Sequence, residues 1–128
     1  MGSRITLKKL FDASWQAFVV EERPWSMDGD ECVYRDYSGN RCAIGLCLND
    51  EQLRFVDEHQ DADISLNASH LPDSWFRGVP KRLRDEVQER LHDYFPNNEI
   101  PPGSAEVKKA YLEFAAEHNI RSAPNKGY

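Results

Sequence analysis

Cys32-Val33-Tyr34-Arg35-Asp36-Tyr37-Ser38-Gly39-Asn40-Arg41-Cys42-Ala43-Ile44-Gly45-Leu46-Cys47 is the stretch on which the fold turns. Two short β-prone runs flank Ser38-Gly39-Asn40, whose composition suits a tight turn, so the segment reads as an antiparallel hairpin. With a three-residue loop, Tyr34 lies opposite Ile44 and Cys32 opposite Leu46, and Cys32, Tyr34, Cys42, Ile44 and Leu46 share one apolar face. A two-residue Gly39-Asn40 loop would instead set Cys32 against Cys47 and Tyr37 against Cys42. The first register buries the larger side chains and is the expected one, although Asp36 then falls at the hairpin end of the apolar face.

Outward from the hairpin the period changes from 2 to 3.6. Thr6 can cap a helix through Leu7, Leu10, Phe11, Ser14 and Phe18, with Trp15 and Val19 widening the stripe and Pro24 stopping it. Arg23 to Asp30 reads as loop. Asn49 with Gln52 forms a capping-box pattern for a helix from Asp50 to about His59, with Leu53 and Val56 inward. Gln60 to Asp63 reads as acidic loop, and residues 64–79 as an irregular apolar cover over the core. Pro80 opens a helix whose inner side is Val79, Leu83, Val87, Leu91 and Tyr94, until Pro96. Its outer side then carries Lys81, Arg82, Arg84, Asp85, Glu86, Glu89 and Arg90. Ser104 caps a last helix with Val107, Ala110, Tyr111, Phe114 and Ala115 inward, and Asn119 with Ile120 fits a left-handed C-cap. The expected architecture is α+β and mostly helical: one hairpin on three to four helices, residues 1–120 as a single domain and 121–128 as a flexible tail.

A length of 128 residues leaves no room for a second domain, and 14 aromatic residues supply a substantial core. The N-terminal segment lacks a signal-peptide pattern and no apolar run could span a bilayer, so a cytoplasmic protein without membrane contact is expected. The net charge of −6 is uneven: residues 21–63 hold twelve acids against four arginines, a local −8. That field repels phosphate backbones, so direct nucleic-acid binding is not expected, and it favours a protein partner with a basic surface. Trp25, Met27 and Tyr37 lie in loops beside Asp28, Asp30, Glu31, Asp57, Glu58, Asp61 and Asp63, and together they form the expected partner-binding surface.

Three cysteines in a chain read as intracellular argue for reduced thiols. Their C-x9-C-x4-C spacing lacks the C-x2-C hook, so no metal and no cofactor is expected; a zinc module on Cys32, Cys42 and Cys47 is the second reading. A third is a cysteine hydrolase, with Cys32 or Cys42 as nucleophile, His92 as base and Asp93 or Glu117 orienting it. The alternative for His92 is a cation at a helix C-terminus. Because the cysteines alternate into an apolar face, no catalytic residue is assigned. Arg35, in mid-strand, would need a carboxylate such as Asp36 or Asp93. No P-loop, dinucleotide fingerprint or zinc-protease motif is present.

Cys32, Tyr34, Arg35, Gly39, Cys42, Ala43, Ile44, Gly45, Leu46 and Asp50 carry a pattern, Cys-x-Tyr-Arg, a glycine turn, then Cys-Ala-Ile-Gly and an acidic helix start. It resembles that of a family of small bacteriophage and prophage proteins. Val87 to Asp93 and Ala116-Glu117-His118 resemble two later features of that family, the first with one residue inserted before His92, and the likeness spans most of residues 5–120. It implies a phage accessory protein in the host cytoplasm, a setting rather than a reaction. Combined with the acidic pole, the expected function is a non-enzymatic protein that binds and modulates a host protein, such as a nucleic-acid enzyme or a defence component, inhibition being the favoured direction. Exposed hairpin edges would also be a template for pairing with a second copy.

Overall fold

The computed structural model describes residues 4–29, 31–59 and 67–120. Among them four helical rods surround one apolar core, and a two-stranded antiparallel hairpin lies against it, so the α+β, mostly helical expectation holds. The first rod is α1 (Leu7–Ser14) running into a π-helical turn, π1 (Trp15–Val20). The second is α2 (Asp50–His59). The third is α3 (Lys81–Gln88), a second π-helical turn, π2 (Glu89–Asp93), and α4 (Tyr94–Asn97). The fourth is α5 (Ala105–Glu117). No helix of the described residues is long and apolar enough to cross a membrane.

The caps follow local chemistry. Thr6 Oγ1 accepts from Lys9 N–H at 3.2 Å. Asn49 and Gln52 form the reciprocal capping box, Gln52 N–H to Asn49 Oδ1 at 2.8 Å and Asn49 N–H to Gln52 Oε1 at 2.9 Å. Ser104 Oγ accepts from Val107 N–H, and Asn119 takes φ +57° while Ile120 N–H reaches back to Ala115 O. The cover segment is observed from residue 67: Ala68, Leu71, Phe76 and Val79 are buried, and Ile5 bridges Phe76. Its residues 64–66, the 60–63 loop and the 121–128 tail lie outside the described residues.

The hairpin is not where the sequence pattern puts it. The paired strands are β1 (Met27–Asp28) and β2 (Glu31–Cys32), with Met27 opposite Cys32. Residues 33–47 pair only at an Arg35–Arg41 bridge, around a 36–40 loop wider than either expected turn. Asp36 is the reason: Oδ1 accepts from Ser38 N–H and Asn40 N–H, and Oδ2 from Asn40 Nδ2 and from Met27 N–H. These bonds replace ladder bonds and close a turn that Gly39 enters at φ +88°. The two-residue shift preserves side-chain parity, so Tyr34, Cys42 and Ile44 are still buried. Beyond Cys42 the chain coils into a 3₁₀ turn, Gly45–Cys47, instead of a strand. Cys42, Ala43, Ile44 and Gly45 are all buried, which a two-period strand facing one core does not do. Gly45 permits it, because a Cβ there would lie 2.2 Å from Tyr34 O.

The third rod departs from a 3.6 period. π2 accommodates an extra residue, so beyond it Phe95 faces the core, while Tyr94, expected inside, is 47% exposed. Arg84, expected on the outer face, is buried. Its guanidinium donates to Val79 O, Leu71 O and the exposed Asp73 Oδ1 and lies over the Phe76 ring, so each of its three nitrogens has a partner.

Candidate functional site

π2 delivers His92 and Asp93 to the end of β2. The ligating atoms of Cys32, His92 and Asp93 all lie within 4.8 Å of one another, although sixty residues separate Cys32 from His92. His92 is fully buried, held edge-on to Phe18 and Trp25 with ring centroids 5.4 and 5.2 Å away. It therefore lies inside a continuous helical rod, not at a helix C-terminus as a capping cation. Ser26 N–H donates to His92 Nε2 at 3.0 Å, which fixes that nitrogen as an acceptor. The ring is consequently the neutral Nδ1–H tautomer, donating to Asp93 Oδ1 at 2.8 Å.

Asp93 is the hub. Gln88 Nε2 also donates to its Oδ1 at 2.8 Å, and the Cys32 thiol lies within 4.8 Å of the same carboxylate. None of these partners is a cation. Met27 Sδ lies 3.5 Å from Cys32 Sγ across the β1–β2 pair. Burial, followed by the Asp93 charge and hydrogen bond, pushes the Cys32 thiol far above its ordinary range. Burial likewise pushes Cys42 up to about 12 and Cys47 up to about 11. Thiols held protonated are poor nucleophiles, and His92 has both nitrogens engaged, so the arrangement lacks the activated Cys–His pair of a hydrolase. Glu117, the other expected orienter, instead pairs with Arg90.

The three cysteines do not converge. Among the described residues the metal-competent group is Cys32 with His92 and Asp93; Cys42 accepts from Gly45 N–H in its own turn, and Cys47 faces Lys9 O on α1. The Cys32, Cys42, Cys47 set is thereby corrected. Gln88 bridges the two halves, since its Oε1 accepts from Ile44 N–H and its Nε2 serves Asp93.

The acidic surface is only partly free. Arg35 pairs with Asp57, and not with Asp36 or Asp93, tying the 36–40 loop to α2. Glu21 pairs with Arg23, and Asp50 with Glu51 occupies the first turn of α2, where the helix dipole favours them. Asp28, Glu31 and Glu58 are exposed and enter no ion pair among the described residues. Asp30, Asp61 and Asp63 lie outside the described residues. Trp25, expected as an exposed anchor, is half-buried: its ring stacks on Phe95 and its Nε1–H donates to Ile100 O at 2.8 Å. Met27 is half-buried too, whereas Tyr37 is 97% exposed at the loop tip. Tyr34 and Cys42 of the motif are core residues, and Gly39 and Gly45 serve the turns described above. Comparison with models of protein families, with curated proteins and with solved structures finds no match for the chain.

Proposed function

We propose that the protein works by binding, as an accessory protein of phage type that inhibits a host protein carrying a basic surface. The observation that carries this reading is Tyr37, almost fully exposed on a loop whose backbone Asp36 clamps. A tyrosine on a loop whose backbone is already fixed offers contact area at reduced entropic cost, which is the character of an interface anchor. The Asp36 to Met27 bond keeps that loop beside the β1–β2 hairpin, which presents Asp28 and Glu31. An aromatic anchor next to unpaired carboxylates suits a cationic partner, and the motif's likeness to phage proteins supports the setting.

The test is affinity capture from bacterial lysate at low and high salt, with the retained proteins identified, using the natural chain and Tyr37→Ala. The reading expects one basic protein, released by salt, with Tyr37→Ala weakening it by about 2 kcal/mol, roughly thirtyfold. Retention unaffected by Tyr37→Ala, or by neutralising Asp28 and Glu31 together, would overturn it.

A further inference from the structure

We propose that Cys32 Sγ, His92 Nδ1 and an Asp93 carboxylate oxygen form a binding site for a single zinc ion that pins the β1–β2 hairpin to π2. This stands independently of the partner surface above. Three features carry it. Thiolate, imidazole and carboxylate are the donor types zinc accepts, while calcium and magnesium favour oxygen alone. The atoms already converge from two distant parts of the chain, on a helical turn whose π geometry turns two consecutive residues toward them. And among the described residues the half-buried Asp93 is bonded by neutral donors, Gln88 and the His92 ring, so the cluster has a carboxylate and an ionisable thiol with no cation paired to them there.

The proton changes balance. Zinc displaces the proton of the Cys32 thiol, which leaves to solvent, and the dication with one thiolate and one carboxylate is then neutral. At His92 the lone pair needed at Nδ1 becomes available when the ring's proton sits on Nε2 instead, an exchange of tautomer with no net proton loss. Ser26 N–H, which donates there now, gives up that bond and must turn away, and the Nε2–H needs an acceptor in its place. Ser26 supplies a fitting one: its Oγ is buried and has no hydrogen-bond partner. A buried orphan hydroxyl on the residue that already touches Nε2 is what an outer-shell partner of a ligating histidine requires. Zinc–ligand lengths of about 2.0–2.3 Å require His92 Nδ1 and Asp93 to part by roughly half an ångström from their present hydrogen bond. Water completes the coordination.

The experiment uses the full chain, reduced and freed of metal with a chelator. Zinc is titrated calorimetrically in two buffers of different protonation enthalpy, and cobalt(II) is added separately as an absorbing stand-in. Expected are one zinc per chain, about one proton released, and a thiolate-to-cobalt charge-transfer band. Cys32→Ser abolishes the band and weakens zinc more than about a hundredfold, beyond the range of an outer-shell change. Ser26→Ala weakens zinc about tenfold or more while leaving the metal-free stability unchanged. Asp93→Asn, which keeps its shape, weakens zinc and guards against misfolding of the cysteine variant; circular dichroism confirms that each variant is folded. Cys47→Ser leaves binding as it was. No stoichiometric zinc in the natural chain, or binding that survives Cys32→Ser and fails in Cys47→Ser, overturns the proposal.

Discussion

The two π-helical turns have the same backbone irregularity and opposite contents. π1 carries Trp15, Ala17 and Phe18 into the core, and where α1 meets it Ser14 Oγ bonds back to Leu10 O and Phe11 O at 2.7 and 3.1 Å. Such back-bonding loosens the preceding turn and suits a change of helical pitch. π2 also places Leu91 in the core, but its next two residues are His92 and Asp93, and Leu91 O accepts from the buried Tyr111 hydroxyl. In π1 the side chains turned inward are apolar, and the polar contact to a distant segment is made by the backbone, Gly103 N–H donating to Phe18 O at 2.8 Å. In π2 the inward side chains are polar, with His92 bonded to Ser26 N–H and Asp93, and the Leu91 carbonyl bonded to Tyr111 of α5, and those bonds give it a chemistry. An irregular helix turn is thus no sign of function in itself; what its inward residues meet decides.

Stability measurements can break that comparison. Phe18→Ala, which removes a fully buried ring from π1, is expected to cost about 3–5 kcal/mol, read as a fall in the urea midpoint at constant slope. His92→Phe retains the volume in π2 but strands Ser26 N–H and removes a donor from Asp93, for about 1–3 kcal/mol. If His92→Phe proved as stable as the natural chain, the polar bonds of π2 would be incidental. Tyr111→Phe, which deprives Leu91 O of its partner, should cost about 1 kcal/mol.

The outer face of the third rod, at Glu86 of α3 beside π2, gives the smallest effect and a pH dependence. Hydrogen bonds from His118 and then from Arg90 outweigh the burial of Glu86 and hold its carboxyl below the ordinary range. A depressed folded-state pKa means a contribution present above the unfolded value and lost as pH falls through the folded one. Glu86→Gln should therefore lower the melting temperature slightly at neutral pH, and the difference should shrink as pH falls below the ordinary carboxyl range and vanish once the natural carboxyl is protonated in the folded chain as well. An equal loss at both pH values would remove the carboxylate from the account.

Thr6, Asn49, Ser104 and Asn119 were legible in the sequence because a cap needs only neighbours within four residues. The hairpin was misplaced because Ala43-Ile44-Gly45-Leu46 has strand composition, whereas the Asp36 bonds and the approach of Gly45 to Tyr34 O are tertiary facts. π2 was hidden because one extra residue in a helix leaves no mark on composition; Tyr94 and Phe95 are adjacent, and a strict 3.6 period selects the wrong one. Arg84 was unreadable for the same kind of reason, since two of its three acceptors are backbone carbonyls, which leave no charge pattern, and the third, Asp73, is eleven residues away. The site was half legible. Cys32, His92 and Asp93 could each be singled out, but their meeting depends on a closure of sixty residues, and the apparent partnership among the cysteines was an effect of proximity in sequence.

The claim that π2 is the chemically committed turn rests on the protonation of one ring. Nitrogen-15 NMR of His92 tests it directly, on the metal-free chain and again with one equivalent of zinc. The account predicts the Nδ1–H tautomer without metal and the Nε2–H tautomer with it. An Nε2–H ring in the metal-free protein, or the same tautomer in both samples, would contradict it.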